Sequence, residues 1–120
     1  MDKQALGQRG ESLACDYLRS TGHQIVRTNY RTRRGEIDII ALKDGVLTFV
    51  EVKYRTDLEL GHPAEAITKS KLNKFRITVL EYLQQENLPV FSEMKFDAIT
   101  ILEYAGQPPQ IELFEHILGP

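Results

Sequence analysis

"GEIDIIALKDGVLTFVEVKYR", residues 35–55, decides the fold. Two apolar runs rich in β-branched residues, 36–42 and 46–54, flank the dipeptide Asp44-Gly45. That dipeptide is a strong short-range hairpin signal, because glycine accepts the positive φ of a tight turn. A two-residue loop pairs Lys43 with Val46 and carries the register back through Leu42–Leu47, Ala41–Thr48, Ile40–Phe49 and Ile39–Val50. The same count sets Asp38 opposite Glu51 and Glu36 opposite Lys53. A four-residue loop keeps this register; a three-residue loop breaks it.

Directly opposed residues of an antiparallel pair have Cβ atoms roughly 4.5–5.5 Å apart, and like charges in that position are destabilising. The cost rises where the strands are covered, because desolvation adds to repulsion. Two explanations fit. Asp38 and Glu51 form a cation site, for which oxygen-only ligands suit Mg²⁺ or Mn²⁺. Alternatively they lie on a solvated face, as charges on edge strands do to discourage aggregation. Period-two alternation places Glu51 and Lys53 on one face with Phe49 and Leu47. That face is expected to turn toward helices, so its charges read as the rim of a cleft.

Outward from the hairpin, residues 4–20 read as a helix with Leu6, Leu13, Ala14, Tyr17 and Leu18 on one stripe and Gly22 as a stop. Residues 23–30 read as a short strand leading to the basic loop 31–35. Residues 61–67 form a connection with a helical turn. Thr68 is placed to cap a helix running to about residue 85, with Leu72, Phe75, Val79, Leu80 and Leu83 on its apolar face. Residues 94–102 and 111–117 are further strands. The order implies an α/β domain: a central mixed sheet flanked by helices, with the second helix supplying the crossover that a parallel connection needs.

The 120 residues, 42% hydrophobic and 27% charged, suit one globular domain spanning 1–120. The single cysteine, Cys15, excludes a disulfide framework and a cysteine zinc cluster. His23, His62 and His116 show no zinc-ligand spacing. No stretch reaches the roughly 18 apolar residues of a membrane span, and the first residues lack a signal-peptide profile, so a cytoplasmic protein without membrane contact is expected. The net charge of −2 is unevenly spread. Residues 1–76 hold 14 Lys and Arg against 10 Asp and Glu, whereas residues 77–120 hold only Lys95 against seven acids. Basic groups at 27–34, 53–55 and 69–76 permit a local phosphate-facing surface on an acidic protein.

A cation at Asp38 and Glu51 would polarise a phosphodiester, and Lys53, two residues from Glu51 on the same face, would hold charge developing on the phosphoryl oxygens. Glu11, on the first helix, is a candidate third acid, although an exposed helix glutamate is the plainer reading. Arg31, Arg33 and Arg34 precede the site, Arg55 follows it, and Lys71 lies near Leu72 on the second helix. These five are the candidate nucleic-acid contacts, which would position DNA without reading its sequence.

The combination "NYRTRRGEIDIIA … FVEVKYR", with "GQRGESLACDYL" at 7–18, "GHPAEAITKSKLNK" at 61–74 and "KFDAITI" at 95–101, resembles the bacterial YraN/UPF0102 family. That family is grouped with PD-(D/E)XK nuclease-like proteins and looks similar to archaeal Holliday-junction resolvases. The resemblance covers nearly the whole chain and implies a restriction-endonuclease-like core. It implies Asp38 as the first acidic metal ligand, Glu51 and Lys53 as the acid and lysine of the second motif, Glu11 as the acid of the first helix, and Lys71 as the basic position of the next helix. Glu36 belongs to the "GEID" variation on that pattern. The implied function is a Mg²⁺- or Mn²⁺-dependent DNA endonuclease, on branched or otherwise structured DNA. The alternatives are a nucleic-acid-binding module that does not cut and a protein-interaction domain. Paired cuts in a symmetric junction would call for a homodimer, with Phe91, Phe96, Phe114 and Ile117 as core or interface.

Overall fold

The computed structural model describes residues 2–118. Helix α1 spans Lys3–Ser20, followed by strands β1 (Gln24–Arg31), β2 (Glu36–Lys43) and β3 (Val46–Arg55). A 3-10 turn, Pro63–Ala66, precedes helix α2 (Lys69–Tyr82), and strands β4 (Glu93–Leu102) and β5 (Gln110–Phe114) complete the fold. The five strands lie side by side in chain order. All pairs are antiparallel except β3–β4, whose parallel join runs through α2. The mixed sheet with its helical crossover is as the element order implied.

Local chemistry sets the boundaries. The Asp2 side chain accepts the Ala5 N–H at 2.7 Å and caps α1. Gly22, at φ +92°, ends it, with the Gly22 and His23 N–H groups donating back to Arg19 and Leu18. The turn at Asp44 (φ +49°) and Gly45 (φ +78°) closes the hairpin as a type I′ turn would. Thr68 caps α2.

The helices cover opposite faces of the sheet. On one face Ala14, Cys15 and Leu18 of α1 pack on Ile39, Ala41, Val50, Ile99 and Ile101. On the other, Phe75, Val79 and Tyr82 of α2 pack on Ile37, Ile40, Leu47 and Phe49. Phe49 stacks on Phe96 at 5.6 Å and meets the edge of Tyr82 at 5.7 Å. Coverage on both sides explains why β2 and β3 read as nearly continuous apolar runs.

Three expectations need correction. Helix α2 ends at Tyr82, and its buried face is Phe75, Thr78, Val79 and Tyr82, while Leu80 stays 53% exposed. Tyr82, three residues from Val79, shares its face and meets the rings of Tyr30 and Phe49, whereas Leu80 points about 200° away from Tyr82. Strand β5 stops at Phe114: His116 takes φ +55°, and the Ile117 N–H donates to the Phe96 carbonyl at 2.7 Å, folding Ile117 onto the α2-side core. Phe91, Phe96 and Ile117 are therefore core-facing, and Phe114 is half-buried on β5. No helix among the described residues is long and apolar enough to cross a membrane.

Candidate metal centre and nucleic-acid cleft

The hairpin register holds from the turn to Ile39–Val50 and then stops. Beyond that point β2 stays with β1, through Tyr30–Ile37 and Arg31–Glu36, and β3 stays with β4, through Arg55–Leu102. The sheet is thus open between its second and third strands. Asp38 and Glu51 are not a ladder pair, and Glu36 faces Arg31 rather than Lys53. In place of the missing ladder bond, the Asp38 Oδ2 accepts the Val52 N–H at 2.7 Å. A carboxylate side chain has taken over a backbone carbonyl's role, so the strands part without orphaning that donor.

Across from Asp38 on β1, between the Thr28–Ile39 and Tyr30–Ile37 pairs, Asn29 sits at φ +52°. Asparagine is among the few residues that tolerate this conformation. The strict alternation of faces breaks here. Ile39 lies in the α1-side core, whereas Ile37, two residues away, lies in the α2-side core with Tyr30. Asp38 therefore reaches the opening from the middle of the sheet and borders a cleft on each side.

The α2-side cleft brings together Asp38, Glu51, Lys53 and Lys71, with Gly35 and Lys74 at its edge. Lys53 Nζ lies 3.1 Å from Glu51 Oε1, and both side chains are 18% exposed. Burial first, and then the negative charge of Glu51, push the Asp38 carboxyl up to about 8, against the pull of its bond from Val52. Lys53 is the main cause that lowers Lys71, and both lysines line this cleft. The sequence analysis brought Asp38, Glu51 and Lys53 to one site through a register that ends before reaching it; the opened strands bring them to one cleft by a different geometry.

Asp38 and Glu51 are two partly buried acids lining one cleft, with Lys53 paired to Glu51. Mg²⁺ is commonly held by one or two carboxylates, with water and substrate phosphate filling the rest of its octahedron. The donor set of Asp38 and Glu51, all oxygen, fits such an ion. Glu11 does not join them. It borders the α1-side cleft, on the other side of Asp38, where its Oε2 accepts the Asn29 Nδ2 at 2.5 Å. Among the described residues no three His, Cys, Asp or Glu assemble as a metal cage. Glu11 shares the α1-side cleft with Asp38 and Lys53, its carboxylate bonded by Asn29.

The α1-side cleft has a volume of about 580 Å³. Arg31 and Arg55 line it, Arg31 being paired with Glu36 at 3.4 Å. Arg55 donates to the Tyr54 carbonyl at 3.2 Å, while its buried Nε has no partner within the protein. Arg33 and Arg34 are exposed in the β1–β2 loop and border neither cleft. Of the five candidate phosphate contacts, three therefore line the clefts and two stand outside.

Sequence reasoning missed the wall of this cleft. Arg9 grips Glu103 with two hydrogen bonds, at 2.7 and 3.1 Å, and Tyr54 O–H donates to the same carboxylate at 2.6 Å. Tyr54 is thereby pressed onto Gly10, where a Cβ would lie 2.7 Å from the Tyr54 Cβ. The "GQRGES" segment, with two glycines in a helical stretch, was the available signal: one glycine admits Tyr54, and the other, Gly7, lines the cleft.

A profile of the family described as "Uncharacterised protein family UPF0102" matches residues 10–101, a span containing Glu11, Asp38, Glu51, Lys53 and Lys71. A UPF0102 protein of Lachnoclostridium phytofermentans is 45% identical over 103 residues, covering 86% of this chain and 87% of its own length. One from Rhodococcus opacus is 44% identical over 108 residues, covering 90% and 91%. One from Chlorobium limicola is 42% identical over 120 residues, covering 98% and 92%. The chain belongs to the UPF0102 family.

Proposed function

We propose that this chain is a cytoplasmic, divalent-metal-dependent DNA endonuclease built on a restriction-endonuclease-like, PD-(D/E)XK core. One observation carries the reading: Asp38, Glu51 and Lys53 share a cleft at the point where the central strands separate. The element order supports it, with a helix, a three-strand meander, a crossover helix and a fourth strand placed parallel to the third.

Asp38 and Glu51 would hold Mg²⁺ or Mn²⁺, which supplies Lewis acidity toward a phosphodiester when bound. The chain's own residues do the rest. Lys53, an ammonium beside Glu51, donates toward the phosphoryl oxygens as negative charge develops on them. Lys71 adds a second positive charge on the same side, and Arg31 and Arg55 hold the flanking backbone on the other. Glu36 is a positioning residue: its pairing with Arg31 orients that guanidinium at the mouth of the cleft. One chain supplies the whole constellation, and cutting both strands of a symmetric junction would take two copies.

The test is a cleavage panel of linear, flapped, single-stranded and four-way DNA with Mg²⁺ or Mn²⁺. Wild-type product that disappears in Asp38→Asn and Lys53→Ala supports the reading; no product from any substrate refutes it. The exposure of Arg33 and Arg34 away from both clefts favours one other reading, a binding module that does not cut. That module would keep its affinity in Asp38→Asn and lose it in an Arg33→Ala/Arg34→Ala double variant.

A further inference from the structure

The α1-side cleft adjoins the carboxylate–lysine site, sharing Glu36, Asp38, Val52 and Lys53 with it, and it has features that site does not require. Gly7 lies in the interior of α1, where glycine weakens a helix, yet a Cβ there would meet nothing within 4 Å. Gly10, three residues on, is explained by the approach of Tyr54; Gly7 has no such neighbour. It faces the cleft, and what its missing side chain preserves is open volume.

The lining indicates what that volume is for. Gln4 and Gln8 line it with side-chain amides, whose mixed donors and acceptors match a base edge, while the Asn29 amide N–H is given to Glu11. Arg55, and Arg31 beside its partner Glu36, supply positive charge for a flanking phosphate, against the acids Glu11 and Asp38 of the same lining. A volume of about 580 Å³ lies within the roughly 300–1,000 Å³ usual for small-ligand pockets, enough for a nucleotide. A base stacked and paired in a duplex cannot reach into such a space unless it is first extruded. Asp38, Val52 and Lys53 border both clefts, so an occupant on the α1 side lies against the carboxylate–lysine site through the opening between β2 and β3.

We propose that the cleft between α1 and the opened strands takes one unpaired nucleotide of a DNA single strand, so that the preferred substrate carries a single-stranded or splayed segment beside the phosphodiester at Asp38 and Lys53. This rests on the nucleic-acid part of the reading above, not on cleavage itself.

Binding is measured by fluorescence anisotropy in the Asp38→Asn background, where no substrate is cut, with a labelled oligothymidylate and a blunt duplex as probes. The single strand should bind at least about tenfold more tightly than the duplex. Gly7→Leu, which projects into the cleft from a helical position whose Cβ would meet nothing within 4 Å, should lose about tenfold in single-strand affinity, with duplex binding unchanged and thermal stability equal or higher. Gln8→Ala, which removes an amide from an exposed position, should weaken the single strand alone. Equal binding of the two probes, or full single-strand affinity in Gly7→Leu and Gln8→Ala, overturns the inference. Single-strand preference in binding with no wild-type cleavage of any DNA in Mn²⁺ leaves the inference standing and refutes the nuclease. Cleavage confined to continuous duplex does the reverse.

Discussion

The two ends of the β2–β3 hairpin are built on opposite principles. At the turn end every residue from Lys43–Val46 to Ile39–Val50 is paired, and Ile40, Leu47 and Phe49 are fully buried between helix and sheet. At the far end the pairing lapses, a side chain substitutes for a carbonyl, and two acids and two lysines occupy the vacated space. The closed end lowers the free energy of the fold. The open end raises it, and the protein tolerates that because the closed end and the flanking pairs with β1 and β4 hold the strands in place.

The sharpest contrast comes from truncating each end. Phe49→Ala removes a buried ring from the aromatic cluster and should cost about 3–5 kcal/mol, read as a lowered midpoint in denaturant unfolding. Lys53→Ala, at the open end, should lower the midpoint less than Phe49→Ala, since water in the cleft can reach the carboxylate it leaves. Its effect falls on cleavage, which should drop about 10²–10³-fold in single-turnover assays. If Lys53→Ala unfolds the chain as Phe49→Ala does, the two ends are not distinct in kind.

Smaller effects sharpen the same comparison. Gly45→Ala forces a side chain into φ +78° and should destabilise the closed end by about 1–2 kcal/mol. Asp38→Asn should act in the other direction in the absence of metal. The folded state holds the Asp38 proton up to about 8, while the unfolded chain releases it near the usual 3.8. The associated stability is present below pH 4 and lost as pH rises toward 8. The variant should therefore match wild type near pH 4 and be the more stable at pH 9, in thermal or urea unfolding. A gain of equal size at both pH values would contradict the assigned cause.

The closed end was legible because Asp44-Gly45 sets a turn geometry, and a turn fixes the register of the residues nearest it. The same counting continued too far. It placed Asp38 opposite Glu51 in a ladder, whereas the positive φ of Asn29 and the bond from Val52 to Asp38 open the sheet at that position. Neither is written in the hydrophobic pattern, since both depend on which strand Asp38 can reach. Glu11 was legible as a residue near the site but not as one bonded by Asn29. Tyr82 rather than Leu80 is buried because it lies three residues from Val79 and seven from Phe75, whereas Leu80 points about 200° away from Tyr82 round the helix. The cleft at Gly7 went unread because hydrophobic periodicity weighs the side chains that are present, and its signal is two helical glycines.

The central claim is that Asp38 and Glu51 form one divalent-cation site, and calorimetric titration with Mn²⁺ tests it most directly. At pH 7 wild type should bind one ion per chain and release about one proton, because Asp38 must give up the proton that burial and Glu51 keep on it. Asp38→Asn should bind far more weakly and release none. Equal Mn²⁺ binding by the two proteins, or no binding by wild type, would contradict the account.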